Sequence, residues 1–416
     1  MSTERKGAFR VLIAGGGVAG LTLANALEQA GIDYLLLEKR DIAPRMGAYI
    51  GVLCHTARVF DQLGVWNRMR DASLGLTGRQ HFDEHGRLFE DSGVFKFITG
   101  KTKRPFLFLE RHFYLQYLYD KLKDKSKIRT RCGVQALTET DGGVAVTTDA
   151  GEEIHGSILL GADGIHSTIR QIISDADNPR FTAHYRTLFA TSHNHFADDP
   201  SRCFLPESMV HNVYYRRSSG VAAVGAPDRV FWLLFVKIDS PATMPNFPQY
   251  TEADIEATLR QYGDRSIGAG YTFNDLWASP IGGGMVPMEE GVVDAAWHNK
   301  GGCNSLLTAT ASEKSTINVG LGGNTAVEGV ATFMNLLVPL LARNPKPSHS
   351  DVPRARACVT LSHYVTRFEA MDTWWLRMLR WLSPWFPDSV KAKAFLDFMK
   401  PAPILNFLPD PDRSKA

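Results

Sequence analysis

A strand that runs directly into a glycine-rich turn and then a helix is the feature that most constrains this chain. Residues 11–14 read VLIA, an apolar run typical of a buried strand, and GGGVAG follows at once. The next segment, VAGLTLANALEQAG, carries leucines and alanines at helical spacing, and Gly31 suits the residue just past a helix end. DYLLLEKR then predicts a second buried strand. This order predicts a βαβ unit with a parallel sheet covered on both faces.

The glycines of the turn have the spacing GxGxxG, as Gly15, Gly17 and Gly20. The first permits a tight turn, the second lets the backbone approach a pyrophosphate, and the third allows close packing of helix on strand. The N-terminus of the helix favours the phosphate charge. Glu38 ends the second strand, where a carboxylate can bind ribose hydroxyls. The pattern predicts a dinucleotide site without distinguishing NAD from FAD.

A second segment, GADGIHSTIR at residues 161–170, has the form of another phosphate-side element. It places Asp163 at a strand end and Arg170 in the helix that follows. A simple β-turn before a capped helix is the alternative interpretation. Its position downstream of GxGxxG favours the cofactor role, and we include Asp163 among the cofactor-binding residues.

Length and composition favour a soluble protein of two or three domains. The 416 residues carry a net charge of +2 without a basic cluster, which gives no reason to expect nucleic acid. Five scattered cysteines without metal-ligand spacing predict reduced thiols in the cytoplasm and no metal site. The polar N-terminus does not resemble a signal peptide, and no uninterrupted apolar run is long enough to span a bilayer.

The remaining chain divides by pattern. Short alternating pieces between residues 130 and 160 predict a meander, and β-branched and aromatic residues between 181 and 280 predict an antiparallel sheet. We therefore expect an α/β fold in which a Rossmann-like FAD-binding domain is interrupted by a substrate domain and followed by C-terminal helices. The predicted ranges are 1–75, 101–180 and 281–345 for the first, 76–100 and 181–280 for the second, and 346–416 for the helices.

Several of these segments together resemble the single-component FAD-dependent aromatic hydroxylases, and most closely their fungal branch of paxilline-type and meroterpenoid monooxygenases. The resemblance rests on GGGVAG with Glu38, GADGIHSTIR and VGLGGNTAVE, and on GAYIGVLCHTARVFDQLG, LERHFYLQYL, HYRTLF, DRVFWLLF and the FLPDPDR tail. It covers nearly the whole chain, and the order of the pieces is more specific than any one of them.

The resemblance implies roles for individual residues. Glu38 would bind the adenosine ribose, Gly51 would lie beside the flavin, and Arg111 would reach the FAD backbone. A glycine-rich stretch would let the chain pass close to the flavin ring, with backbone amides at its polar edge. That stretch contains Gly320, Gly322, Gly323 and Asn324.

Three residues are candidates for contact with a substrate. Arg186 would face it, as an arginine does in relatives, and polarise a developing oxyanion. Tyr214 and Tyr215 lie on the next predicted strand, where the period of two turns one of them inward.

The stretch ATASEKSTINVGLGGN departs from the family pattern. Relatives carry a Gly-Asp pair before the glycines, with the aspartate bonded to the ribityl chain, and here Ala309 and Thr310 take those places. Thr310 can still form one hydrogen bond but presents no carboxylate. Losing one charge-assisted bond costs roughly 1.5–3 kcal/mol, which weakens FAD binding by one to two orders of magnitude.

The main expectation is an FAD-dependent monooxygenase of an apolar polycyclic or prenylated metabolite. The resemblance implies that NADPH reduces FAD transiently, and that oxygen then epoxidises an alkene or hydroxylates an electron-rich ring. Two alternatives stay open because of Thr310. One is a protein of the same fold that catalyses a redox-neutral isomerisation or cyclisation, and the other is a non-catalytic ligand-binding protein. Membrane contact is expected only through the C-terminal aromatic segment DTWWLRMLRWLSPWF.

Overall fold

The computed structural model describes most of the chain. The described residues are 9–45, 49–140, 143–173, 181–292, 297–298, 305–307, 313–314, 321–344, 385–400 and 402–412. Thr310 and Gly320 lie outside them, as do the first three tryptophans of the C-terminal aromatic segment.

Within these ranges, helices and strands alternate in the first half and strands dominate the middle. The helices are α1 (Val18–Gln29), α2 (Cys54–Leu63), α3 (Trp66–Asp71), α4 (Val94–Thr102), α5 (Arg111–Lys121), α6 (Thr168–Ile173), α7 (Glu252–Tyr262), α8 (Phe273–Trp277), α9 (Leu321–Arg343) and α10 (Asp388–Met399), with a 3-10 turn at Lys125–Lys127. The strands are β1 (Arg10–Ala14), β2 (Asp33–Glu38), β3 (Tyr49–Val52), β4 (Gly75–Leu76), β5 (Gly78–Phe82), β6 (Leu88–Ser92), β7 (Phe106–Glu110), β8 (Ile128–Thr130), β9 (Val134–Thr140), β10 (Gly143–Thr148), β11 (Glu153–Gly156), β12 (Ile158–Gly161), β13 (Thr182–Ser192), β14 (Met209–Tyr215), β15 (Ser218–Ala226), β16 (Arg229–Thr243), β17 (Ser266–Gly268), β18 (Tyr271–Thr272), β19 (Pro280–Val292), β20 (Trp297–His298), β21 (Ser305–Leu307) and β22 (Glu313–Lys314).

The predicted βαβ unit is confirmed. Strand β1 pairs in parallel with β2 on one side and β12 on the other, within a sheet of order β20-β21-β12-β1-β2-β8. The four apolar residues of β1 are fully buried, as expected for a central parallel strand. Helix α1 ends at Gln29, and Gly31 has φ +68°, the left-handed conformation that glycine adopts without a Cβ penalty.

The predicted meander is also confirmed, as the antiparallel sheet β11-β10-β9 that leads into β12. A second small sheet, β3-β7-β4, joins the segment after β2 to the strand that precedes Arg111. It places Gly51 opposite Phe108. This small sheet therefore carries two of the predicted cofactor residues on adjoining elements.

The middle of the chain forms one eight-stranded sheet of order β22-β19-β13-β16-β15-β14-β5-β6. Its long neighbours β13, β14, β15, β16 and β19 pair antiparallel, as predicted, whereas β14 pairs with β5 in parallel. The predicted boundary at residue 281 differs from the structure. Strand β19 continues this sheet to Val292 because its backbone pairs with β13 along nearly its whole length.

One side of the large sheet is covered by its own helices. Trp232 is fully buried there, packs against Phe273 and Trp277, and donates from Nε1 to Ser192 Oγ at 3.0 Å. Helices α7 and α8 supply the opposing apolar residues, including Ile255 and Leu276. The opposite side of the sheet is left for contact with the rest of the molecule.

Helix α9 is long and apolar enough to cross a membrane by composition, over Gly322–Arg343. That differs from the expectation drawn from uninterrupted apolar runs, because polar residues are interspersed along the helix. Its buried side chains, from Ala326 to Leu337, join the core formed with α1, α2 and α5. The helix therefore packs as a core element.

Of the predicted helical segment 346–416, the described residues 385–400 and 402–412 contain helix α10, and residues 346–384 lie outside them. Helix α10 packs on α4, where Asp388 accepts hydrogen bonds from the Gly93 amide at 2.6 Å and from Ser92 Oγ at 2.7 Å. Residues 402–412 continue as an irregular tail. Its end is held by Arg104, whose Nη1 lies 2.6 Å from Asp412 Oδ1. Hydrogen bonds from side chains satisfy backbone groups of this tail in place of regular secondary structure.

Because His211 is buried, we predict that the stability of the fold decreases in acid. Burial lowers its pKa to about 4, while Asp91 opposes the shift, and Nδ1 lies 2.9 Å from the Tyr271 hydroxyl. Because the folded pKa lies below the ordinary value of 6.5, the unfolded chain binds the extra proton between these values. Stability should fall as the pH drops through that window, by about 1.4 kcal/mol per pH unit.

Thermal unfolding of wild type and His211→Gln at pH 7 and pH 5 measures this term. We expect the variant to lose less stability than wild type on acidification, by about 2 kcal/mol. His155→Gln is the matched control because His155 is exposed and should leave the difference unchanged. Equal pH dependence of wild type and His211→Gln would contradict the prediction.

Candidate active site

The glycine turn after β1 is held by contacts that no other residue permits. Gly15 has φ +108°, and a Cβ there would lie 2.5 Å from the Ala162 carbonyl oxygen. A Cβ on Gly20 would lie 1.9 Å from the carbonyl oxygen of Gly15. These two glycines let α1 start directly against the ends of β1 and β12. The N-terminus of α1 is thereby fixed at the edge of the parallel sheet.

Gly17 precedes α1 and has open space in front of it. The nearest atom to a Cβ at this position would be Arg111 Nη2, at 3.9 Å. Arg111 begins α5, and burial lowers its pKa, although Tyr114 and Glu38 oppose this. Its guanidinium has no hydrogen bond or ion pair to any of the described residues. A buried cation without a protein partner, next to free helix amides, is suited to a diphosphate.

Glu38 organises the same turn from the end of β2. Its Oε2 accepts a hydrogen bond from the Gly16 amide at 2.5 Å, and its Oε1 accepts one from the Arg40 amide at 2.8 Å. Each carboxylate oxygen retains a second lone pair. The side chain is therefore oriented and can still accept from the hydroxyl groups of a ribose. These residues fit the adenosine diphosphate part of FAD.

The Asp163 side chain accepts hydrogen bonds from the segment that follows it. Its Oδ1 accepts from Ser167 Oγ at 2.5 Å, and its Oδ2 accepts from the amides of Thr168 at 2.7 Å and Ile169 at 3.1 Å. The carboxylate thus caps the first turn of α6 and is occupied by protein donors. Its backbone lies against Gly15, so Asp163 also supports the glycine turn, and its contact with a cofactor stays a prediction.

Gly322 and Gly323, the described glycines of the stretch expected beside the flavin ring, lie within a helix and not before it. Helix α9 begins at Leu321, so Gly322, Gly323 and Asn324 form its first turn, where amides lack helical partners. A Cβ on Gly323 would lie 2.6 Å from Ile50 Cδ1. The absence of a side chain therefore allows α9 to pack closely on β3, and the free amides point along the helix axis.

The Asn324 side chain joins α9 to β3. Its Nδ2 donates to the Gly51 carbonyl at 3.0 Å, and its Oδ1 accepts from the Leu53 amide at 3.1 Å. The carboxamide thus satisfies two buried backbone groups, and the expected contact of the backbone amides with the flavin stays a prediction. Gly51 itself lies against Phe106, whose ring is 2.9 Å from the position of a Cβ. Both residues thus position the strand beside the expected flavin.

An aromatic cluster connects β3 with the large sheet. The Tyr49 ring stacks on Phe231 at 5.0 Å between centroids and lies 5.3 Å from Phe108. Leu233, Phe235 and Met288 continue the cluster along the sheet. Residues at its border are only half-buried; they are Tyr185, Phe189 and Val221. This apolar face of the sheet is turned towards the strand that carries Gly51.

Strand register decides which predicted catalytic residues reach that face. Arg186 pairs with Val236, Val236 with Ser218, and Ser218 with Tyr215, so these four side chains lie on one side of the sheet. It is the side covered by α7, and Arg186 acts electrostatically on Tyr250 and Asp254 there. Arg186 and Tyr215 therefore lie on the side of the sheet opposite the aromatic cluster, as the period of two requires for one of the two tyrosines. The expected contact of Arg186 with a substrate stays a prediction. A shift of one residue reverses the side in a strand.

Tyr214 precedes Tyr215 on β14, so its side chain lies on the other side of the sheet, which is the side of the aromatic cluster. It pairs with Ser219, Ser219 pairs with Phe235, and Phe235 pairs with Thr187. The Tyr214 hydroxyl is 2.9 Å from His81 Nδ1, and the two rings stack. Nothing in the sequence indicates His81 or Thr187, because their positions depend on pairing between distant strands.

Sequence comparison places the chain among flavoproteins. A family described as the FAD binding domain matches residues 8–269. The chain is similar to the FAD-dependent monooxygenase dpasE of Apiospora sacchari, with 30% identity over 97% of this chain and 88% of that protein. It is also similar to the FAD-dependent monooxygenase spyC of Aspergillus fumigatus, with 31% identity over 98% and 89%. The resemblance inferred from the motifs is confirmed.

Solved structures share the fold. The complex of Klebsiella pneumoniae HpxO with FAD and uric acid has a TM-score of 0.72 and 17% identity, covering 97% of this chain and 100% of that one. The 2,6-dihydroxypyridine-3-hydroxylase from Arthrobacter nicotinovorans has a TM-score of 0.69 and 16% identity, covering 87% and 90%. Both agree with the α/β fold predicted from the sequence.

Because Arg111 has no partner among the described residues, we predict that replacing it weakens FAD binding more than it lowers the stability of the fold. Arg111→Met should weaken FAD binding about 10- to 100-fold, because a charge-assisted contact is lost. The cofactor-free protein should melt at the same temperature as wild type or higher, since no protein bond is broken. Titration of cofactor-free protein with FAD and thermal unfolding provide the two readouts.

Arg104→Met is the matched control for this experiment. Arg104 is more deeply buried than Arg111, and lies within 3.0 Å of Asp61 and 2.6 Å of Asp412. Its loss should lower the melting temperature of the cofactor-free protein, because the ion pairs with Asp61 and Asp412 are both broken. Unchanged FAD affinity in Arg111→Met would show that Arg111 does not contact the cofactor.

Proposed function

The chain belongs to the FAD binding domain family, and from that premise we propose that it is a monooxygenase acting on an apolar polycyclic or prenylated metabolite. The observation that carries the proposal is the contact between Tyr49 and Phe231. It joins the strand of Gly51 to an aromatic sheet face. A cofactor cradle and an apolar surface therefore adjoin each other.

The residues of the cradle divide the binding of FAD among them. The α1 amides and Arg111 would hold the diphosphate, Glu38 would accept from the ribose, and the first turn of α9 would meet the ring with free amides. When bound, FAD reduced by NADPH supplies the activation of molecular oxygen. The protein contributes orientation and the exclusion of water by packed apolar side chains.

The chemistry of the sheet face indicates the substrate class. Tyr185, Phe189 and Val221 are half-buried and apolar, and Val286 is exposed on the same side, opposite Thr187. Such a surface binds a ligand through burial of apolar area, at about 25 cal/mol per Å². Among the described residues, Tyr214 and His81 place polar groups at the border of this face. A largely apolar skeleton with one hydroxyl or carbonyl group fits this arrangement.

We assign the enzyme to the cytoplasm, in keeping with the scattered cysteines, of which Cys54 and Cys132 are buried free thiols. Residues 372–384 of the aromatic segment lie outside the described residues, and Trp385 is 78% exposed. Peripheral contact of this segment with a membrane is part of the proposal. It would bring the enzyme to a pool of apolar substrate.

Oxygen labelling tests the proposed function. The purified FAD-loaded protein is incubated with NADPH and a panel of polycyclic terpenes and prenylated phenols under ¹⁸O₂. We expect one member of the panel to accelerate NADPH oxidation and to gain one ¹⁸O atom. Conversion of a substrate without oxygen and NADPH would instead establish a redox-neutral enzyme. Ligand-induced stabilisation without conversion of any compound would indicate a binding protein.

The adjacent tyrosines allow a matched test of the assigned sheet face. Tyr214→Phe removes the hydroxyl 2.9 Å from His81 Nδ1, so product formed per NADPH should fall about tenfold. Tyr215→Phe removes a bond to the Ser266 carbonyl, 2.7 Å long, on the other side of the sheet. It should cost about 1 kcal/mol of stability and leave the product yield unchanged. The reverse pattern would refute the assignment.

A further inference from the structure

Two histidines and an aspartate meet at one end of the large sheet. Asp228 Oδ2 lies 2.8 Å from His193 Nδ1, and Asp228 Oδ1 lies 3.8 Å from His195 Nε2. The two imidazole centroids are 5.3 Å apart. One ligand atom from each residue falls within 4.8 Å of the others. The three side chains therefore already surround a common point.

The backbone that carries these side chains is well anchored. His193 and His195 follow β13, and between them the buried Asn194 exchanges hydrogen bonds with Leu205, donating to its carbonyl at 2.9 Å. Asp228 lies in the turn between β15 and β16 with φ +54°. Two separate elements thus present ligands to one point, and neither has to refold to bring them together.

The second ring nitrogen of His195 is already engaged. Its Nδ1 lies 3.1 Å from the Phe196 carbonyl oxygen, which can only accept a hydrogen bond. The Nδ1 therefore carries the proton and the lone pair of Nε2 faces Asp228. Histidines that ligate metals are oriented in the same way, by donating the other ring N–H to a carbonyl or carboxylate.

We propose that His193, His195 and Asp228 bind a divalent transition-metal ion of the zinc type. Two imidazoles and one carboxylate form a mixed nitrogen and oxygen set, which suits Zn²⁺, Ni²⁺ or Cu²⁺ better than Mg²⁺ or Ca²⁺. The side chains are 40%, 27% and 51% exposed, so the ion can enter from solvent and keep water as further ligands. The site does not use any residue of the flavin cradle.

Arg229 competes for this point in the metal-free protein. Its Nη1 lies 3.3 Å from His193 Nδ1 and 3.6 Å from Asp228 Oδ2. Metal binding requires that the guanidinium swing away, which its one-third exposure permits. Removal of this cation should strengthen metal binding, whereas removal of a ligand should weaken it. The two kinds of variant act in opposite directions.

Calorimetric titration of the FAD-loaded protein with ZnCl₂ tests the proposal. We expect one ion to bind per chain. The double variant His193→Gln/His195→Gln should bind it at least about 100-fold more weakly, and Asp228→Asn should also bind it more weakly than wild type. Arg229→Gln should bind the ion about two- to fivefold more tightly. Cys203→Ser and His155→Gln remove other exposed metal-binding groups and should bind as wild type does.

Two results would overturn the site. One is wild-type affinity in the double variant, and the other is loss of binding in Cys203→Ser. Melting temperatures in EDTA show whether each variant is folded. If the double variant does not fold, electron paramagnetic resonance of the wild-type Cu²⁺ complex decides. Splitting by two imidazole nitrogens supports the site, and its absence refutes it.

Discussion

The backbone contact among Gly15, Gly20 and Ala162 is the constraint on which the cofactor side depends. It brings the ends of two parallel strands and the start of α1 within van der Waals distance, where no Cβ fits. Because α1 is fixed there, its free amides point at the space in front of Gly17. The buried Arg111 adds a full positive charge on the opposite side of that space. An anion-binding geometry therefore follows from packing alone, before any ligand contributes.

The register of the large sheet has the same importance for the substrate side. Each strand turns alternate residues to the helices α7 and α8 and to the dinucleotide domain. Trp232 therefore belongs to the internal core of its own domain, whereas Phe231 and Leu233 form the face that meets Tyr49. A small residue at this interface, Gly225, lies against the Phe108 backbone. The two domains meet at the stacked rings of Tyr49 and Phe231 and at the backbone contact of Gly225 with Phe108. The half-buried residues at the border of this contact remain available for a ligand.

The local elements could be predicted from sequence, and the faces could not. The βαβ unit, the meander and the helix that begins at Arg111 each have a local pattern, because period and turn residues act over a few neighbours. The side of the sheet on which Arg186 and Tyr215 lie depends on pairing with distant strands, which no local pattern indicates. The pair of Tyr214 and His81 is separated by 133 residues, so no local signal indicates it. Asp163 and Asn324 have residue types that suit a cofactor site, yet backbone groups occupy their side chains.

The altered motif at Thr310 can be weighed against the part of the cradle that the structure describes. FAD is a long ligand, and the diphosphate contacts at α1 and Arg111 are separate from a bond to the ribityl chain. Contacts that share no partner contribute nearly additively, so the loss of one carboxylate leaves the contribution of the others in place. A buried guanidinium without a partner also disfavours the cofactor-free state, since its desolvation is compensated only when an anion arrives. The diphosphate end therefore favours retention of FAD, and the affinity cost expected from Thr310 concerns a separate part of the cofactor.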